Sequence, residues 1–233
     1  MGIASRIALG GLGIVAIGAL GWFGGRPAVE HIVHDYILEH PEILPQAMEN
    51  LQKREASAQL AGVRQSVETP FPGAVLGNPQ GTRTLVEFSD FACGYCRQSL
   101  PDVKQLIARN PDLRIVVREL PVISPHSPDA AKMALAAAEQ GKYGAFHDAM
   151  YAAGQVDPAT IDAVAQKVGL DMARARRVAA SPTVEEEIKR NLAMANRLGF
   201  TGTPSWIAGD NLISGAVGMD RLAEAIGPAK SGA

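Results

Sequence analysis

The chain has 233 residues, with 22 Lys and Arg against 24 Asp and Glu and a net charge of −2. That balance gives no support for a nucleic-acid partner, whose phosphates recruit basic surfaces, and the length suits one catalytic domain with extensions. Only two cysteines are present, too few for a four-thiolate zinc site, and neither a metal nor a cofactor is expected.

In chain order, the first element is an apolar, glycine-rich run from Ile7 to Phe23, preceded by Arg6. A charged start followed by a hydrophobic run is the pattern of an export leader. The run is long for a signal core and short for a spanning helix, which needs about 20 residues. No clear A-x-A cleavage site follows it. Residues 1–25 are therefore expected to be either a cleaved signal peptide, slightly favoured, or a membrane anchor. Either outcome places the remainder in the periplasm or on the extracytoplasmic face of the inner membrane, where disulfides persist.

Residues 26–69 read as a helical segment. Val29, Ile32, Val33, Tyr36 and Ile37 form one apolar stripe, Pro41 interrupts it, and Ile43, Leu44, Ala47, Met48 and Leu51 form a second. Such helices cannot bury their stripes alone. They either pack back on the catalytic domain or join copies of the chain through residues 28–67.

Residues 70–233 read as the catalytic α/β domain. Thr84 to Phe88 is rich in branched and aromatic residues and predicts a buried strand. Cys93-Gly94-Tyr95-Cys96 follows, then a helix to Ala108 with Leu100, Val103, Leu106 and Ile107 at helical spacing. Leu113 to Glu119 predicts a second strand. A helical insertion is expected over about 121–198. Ser127-Pro128, Asp157-Pro158 and Ser181-Pro182 each offer an N-cap residue before a first-turn proline, and Gly141, Gly169 and Gly199 offer stops. His126 and His147 fall in this insertion and read as capping or packing residues. Strands at Ser205–Ala208 and about Asn211–Ser214, then a helix from Met219 to Ile226, complete the chain.

A C-x-x-C pair can be a redox centre, half of a zinc site or a small bridge. The histidines show no ligand spacing near it, and a bridge across two residues closes almost no loop. Its position favours redox chemistry. Cys93 opens a helix, where unpaired N–H groups and the helix dipole favour an anion, and the thiolate is the nucleophile of disulfide exchange. Cys96 lies one turn further in and is placed to resolve a mixed disulfide.

The stretch from Val75 to Cys96, with its Gly-Asn-Pro turn and Glu-Phe-Ser-Asp strand end, resembles the opening of a DsbA-like thioredoxin-fold protein. Gly199-Phe-Thr-Gly-Thr-Pro-Ser-Trp206 extends the resemblance. The resemblance implies a thioredoxin fold with a helical insertion and a cis Thr203-Pro204 bond facing the cysteines, with the Thr203 backbone free to pair with a substrate strand. It also implies that Glu87 lies beneath Cys96. Strand alternation puts Glu87 on a covered face with Leu85 and Ser89, where a buried acid has a raised pKa and can shuttle the Cys96 proton. Thr203, Pro204, Gly94 and Tyr95 are the expected substrate-contacting residues.

The Tyr-Ile-Leu-Glu-His-Pro-Glu-Ile-Leu run resembles the N-terminal segment of suppressor-of-copper-sensitivity protein C and Com1-like proteins, which implies a homo-oligomer, dimer or trimer. The Gly-Tyr dipeptide and Thr-Pro loop resemble bacterial disulfide isomerases more than the strongest oxidases. The implied activity is thiol–disulfide exchange on cysteine-containing exported proteins, as isomerase or reductase rather than disulfide-donating oxidase, with a membrane redox partner. Copper(I) capture by the two thiols is the alternative of another class, since soft thiolates suit that ion.

Overall fold

A computed structural model describes residues 29–228. The expected leader lies outside the described residues. Among the described residues, no helix is long and apolar enough to cross a membrane. The chain divides into two compact units between Gln52 and Lys53.

In the first unit, helix α1 (29–39) and the opening of helix α2 (Ile43–Leu60) flank Pro41. The two predicted stripes form, and their large members are exposed: Ile32 by 67%, Tyr36 by 54%, Met48 by 63% and Leu51 by 56%. These numbers matter because an amphipathic helix gains most of its stability from covering such a face.

The second unit holds the end of α2, then α3 (Arg64–Glu68), β1 (Val75–Gly77), β2 (Arg83–Ser89), α4 (Gly94–Arg109) and β3 (Leu113–Glu119). Helices α5 (Ser127–Ala138), α6 (Tyr143–Ala153), α7 (Pro158–Lys167), α8 (Met172–Ala179) and α9 (Pro182–Arg197) follow. Strands β4 (Ser205–Ala208) and β5 (Asn211–Ser214) and helix α10 (Met219–Ile226) close the chain. The sheet order is β1-β3-β2-β4-β5. Strands β2 and β3 are parallel, with Glu87 opposite Val117, and the other pairs are antiparallel.

Both faces of the sheet are covered. On one face Leu85, Ile115, Val117 and Trp206 pack with residues of α4 to α8 and α10. On the other, Val86, Phe88, Val116 and Ile207 meet Leu60, Val63, Val67, Met194 and Leu198. The expected division at 69/70 therefore falls inside this unit. The reason is the spacing of Ala56, Leu60, Val63 and Val67, all buried, which carries the helical segment into the core. The Arg118 guanidinium fixes it there: it donates to the carbonyls of Ser66, Val67 and Thr69 and pairs with Glu187 at 2.6 Å.

Two of the three predicted helix caps form. The Asp157 side chain accepts from Thr160 N–H and that of Ser181 from Val184 N–H. Ser127 does not cap α5. His126 occupies the N-cap position, and the Ser127 hydroxyl instead donates to Asp90 at 2.7 Å. A buried carboxylate is a stronger acceptor than the helix start offers that hydroxyl as a donor-seeking cap. The expected glycine stops stand at the helix ends with φ of 67° at Gly141, 74° at Gly169 and 72° at Gly199, a region costly for residues with a Cβ.

Candidate active site

Strand β2 ends at Ser89 and α4 begins at Gly94, so the intervening turn must deliver Cys93 to the helix start. Asp90 builds that turn. Its Oδ1 accepts from Ala92 N–H at 2.8 Å and from Ser127, and its Oδ2 accepts from Val122 and Ile123 N–H, each at 2.8 Å. Its carbonyl accepts from Cys93 N–H at 2.9 Å. One buried carboxylate thus ties the cysteine turn to the loop after β3, which exposes Val122 and Ile123. Asp90→Asn keeps one oxygen but turns an NH2 group toward N–H donors. It is expected to cost about 2 kcal/mol of stability, measured by chemical denaturation. An unchanged midpoint would show that the turn does not depend on this carboxylate.

Cys93 is the N-cap of α4, with extended backbone at φ −81° and ψ 117°. Its thiol donates to the Thr203 carbonyl at 3.2 Å, and the Thr203–Pro204 peptide bond is cis. Cys93 and Cys96 are unbridged. Gly94 and Tyr95 face solvent, Tyr95 with 65% of its surface exposed. A Cβ on Gly94 would meet nothing within 4 Å, so the surface above the cysteines is open. The sequence-predicted site residues Cys93, Cys96, Glu87, Thr203, Pro204, Gly94 and Tyr95 converge at this one end of the sheet.

Beneath the surface the site is acidic and dry. Cys96 is 1% exposed. Burial pushes its thiol pKa up, the Glu87 charge pushes it further, and hydrogen bonding to Ser89, the Asp90 backbone and Thr203 partly offsets the rise. Glu87 is buried, and loss of hydration raises its pKa to about 7, against a small opposing effect of the Ser89 hydroxyl. Ser89 donates to Glu87 Oε1 at 3.1 Å, while Oε2 lacks a hydrogen-bond partner. A second carboxyl, Glu119 on β3, accepts from the Tyr143 hydroxyl at 2.7 Å and is raised well above its ordinary value by burial.

Sequence reasoning did not single out Asp90, Ser89, Glu119, Tyr143 or Tyr151. Asp90 carried a signal, since an Asp two residues before a loop N–H forms an Asx-turn. Ser89 shares the face of Glu87 by alternation. Tyr143 and Tyr151 sit on one side of α6, but nothing in the chain says which wall that side meets. His147 packs among Phe91, Tyr143 and Tyr151, and burial lowers its pKa. His126 stands at the start of α5, 3.4 Å from Asp129.

The family model described as DSBA-like thioredoxin domain matches residues 84–227. That of the copper resistance protein ScsC N-terminal domain matches residues 26–58. A thioredoxin-like oxidoreductase from Silicibacter pomeroyi DSS-3 is 40% identical, with a TM-score of 0.67 over 70% of this chain and 95% of that one. The thiol-disulfide exchange protein alpha-DsbA2 from Wolbachia pipientis is 26% identical, with a TM-score of 0.66 over 76% and 94%. Proteus mirabilis ScsC, at 24% identity and a TM-score of 0.66 over 86% and 92%, shares the fold. Among curated proteins, the Na(+)/H(+) antiporter NhaA 1 of Salinispora arenicola is 30% identical over 161 residues, 68% of this chain. The chain spans about a quarter of the length of that relative, 25% of it.

Proposed function

The chain belongs to the DSBA-like thioredoxin domain family, and from that membership we propose that it is a thiol–disulfide oxidoreductase acting on cysteine-containing exported proteins. The observation that carries the proposal is the Cys93 thiol at a helix start, 3.2 Å from the Thr203 carbonyl. The Cys93 thiolate attacks a substrate disulfide, forming a mixed disulfide and releasing one substrate thiolate. The bound chain pairs with the Thr203 backbone beside Pro204 and lies over Gly94 and Tyr95. Cys96 then attacks Cys93 and frees reduced substrate, or the substrate's own thiol attacks first and rearranges it. Run backward from the Cys93–Cys96 disulfide, the same steps oxidise a substrate. Glu87 takes the Cys96 proton: near pH 7 a sizeable fraction of it is ionised, as a general base working at neutral pH requires.

Isomerase or reductase action is favoured over oxidation. The Gly94-Tyr95 dipeptide supports that direction, and so do the open stripes of α1 and α2. Ile32, Tyr36, Met48 and Leu51 are exposed, and covering them against further copies of the chain, as a dimer or trimer, would set several catalytic sites around one client and retain it until it rearranges. A membrane redox partner on the extracytoplasmic side would keep the cysteines reduced.

The test compares residues 27–233 with residues 53–233, since the second unit begins at Lys53. Light scattering is expected to find the longer chain oligomeric and the shorter one monomeric. Both should reduce insulin, while reactivation of scrambled ribonuclease should fall about tenfold in the shorter chain, the loss of effective concentration that multivalency supplies. Two monomers, or equal reactivation by both, would overturn the isomerase reading.

A further inference from the structure

Glu87 and Cys96 are joined through a third side chain. Ser89 follows Glu87 by two positions on β2 and so faces the same way. Its hydroxyl is buried and central: 3.1 Å from Glu87 Oε1 and 2.7 Å from the Tyr151 hydroxyl, and it also hydrogen-bonds the Cys96 sulfur. Tyr151 has a second acceptor in the Asp90 carbonyl at 3.1 Å. A serine hydroxyl carries one donor and two acceptor lone pairs. Those three sites match the three neighbours, with Ser89 donating to the Glu87 carboxylate and accepting from Tyr151 O–H and Cys96 S–H.

We propose that Ser89 is the proton bridge between Cys96 and Glu87, held in register by Tyr151. This rests on the reading of Glu87 as proton acceptor. In the step, Cys96 S–H gives its proton to Ser89 Oγ as Ser89 gives its own to Glu87 Oε1. The Cys96 thiolate then attacks Cys93 of the mixed disulfide. The Cys93–Cys96 S–S bond forms, the bond from Cys93 to the substrate sulfur breaks, and the substrate leaves as a thiolate with the electron pair. Glu87 ends as a carboxylic acid, and one negative charge has passed from it to the leaving sulfur. Afterwards the new Glu87 O–H points at Ser89 Oγ, so the array is ready to run in reverse when the site oxidises a thiol. A water molecule could serve the same role at a more open site. Here the hydroxyl is built into the strand, and its proton cannot exchange position with solvent during turnover.

The test uses dithiobis-nitrobenzoate, which reports both chemical steps: attack by Cys93 releases the first nitrothiolate and attack by Cys96 releases the second. Ser89→Ala is expected to slow the second release about tenfold and to move its pH midpoint upward, leaving the first release within about twofold. Ser89→Thr, which keeps the hydroxyl, should restore the second release. In the unmodified protein, the second release in mixtures of light and heavy water should follow a curved dependence, since two protons move together. A second release unchanged in Ser89→Ala, equal slowing of both releases, or a linear isotope dependence would overturn the bridge. Glu87→Gln separates the two ideas. If it slows the second release while Ser89→Ala does not, only the bridge fails. If Glu87→Gln itself leaves the pH profile of the second release unchanged, the proton-acceptor reading fails.

Discussion

Cys93→Ala is expected to reduce insulin reduction and ribonuclease reactivation to background, while Cys96→Ala accumulates mixed disulfides. The asymmetry follows from position. Cys93 caps α4 beside the Thr203 carbonyl, where helix-end N–H groups stabilise a thiolate and Gly94 leaves the approach open. Cys96 lies a turn deeper, buried, and burial and the neighbouring Glu87 charge keep its proton on. Without Cys93 no reactive sulfur faces a client. Without Cys96 the first attack proceeds and its product persists. The check is a turbidity assay for insulin reduction together with non-reducing gels for adducts. Activity retained by Cys93→Ala would remove the assignment.

Glu87→Gln carries the second large effect, on two observables. Its folded pKa of about 7 lies above the ordinary 4.5 because burial disfavours the charged form. The native state therefore holds that proton more tightly than the unfolded chain. Below pH 4.5 the group is neutral in both states and costs nothing. Between pH 4.5 and 7 the unfolded chain ionises while the fold resists, and stability falls. Above pH 7 the full cost is present, about 3 kcal/mol. Glu119, displaced in the same direction by burial, adds to the trend. Gln at position 87 removes the charge without emptying the site, so the variant is expected to be more stable than the parent at pH 8 and similar at pH 4. Denaturation at the two pH values reads this directly, and a variant less stable at pH 8 would contradict the burial argument. The gain comes with a loss of function: transfer of the Cys96 proton should slow on the order of a hundredfold, the contribution of a well-placed base.

The chain announced its reacting centre more clearly than its support. Strand β2, the C-x-x-C at a helix start, strand β3 and the Thr203-Pro204 turn were legible because each rests on local patterns: branched residues, helical spacing, a paired motif. The same locality explains what was missed. Ser127 reads as a cap in isolation, but Asp90, distant in sequence, captures its hydroxyl. Glu119 reads as the end of a strand, and its bond to Tyr143 depends on how α6 is laid across the sheet. The division between the segments was placed too late because Leu60, Val63 and Val67 continue a stripe that the strand pattern does not reveal as core. Alternation along β2 put Ser89 beside Glu87, and only the packed structure brought Tyr151 and Cys96 to the same hydroxyl.

The central claim, that Cys93 forms the covalent link to exported clients and Cys96 resolves it, has a direct measurement. Cys96→Ala is expressed in cells, thiols are quenched with acid, and adducts are purified and mapped by mass spectrometry. The account predicts mixed disulfides joining Cys93 to cysteines of exported proteins, lost when Cys93→Ala is added. An absence of such adducts, or adducts that survive removal of Cys93, would contradict it.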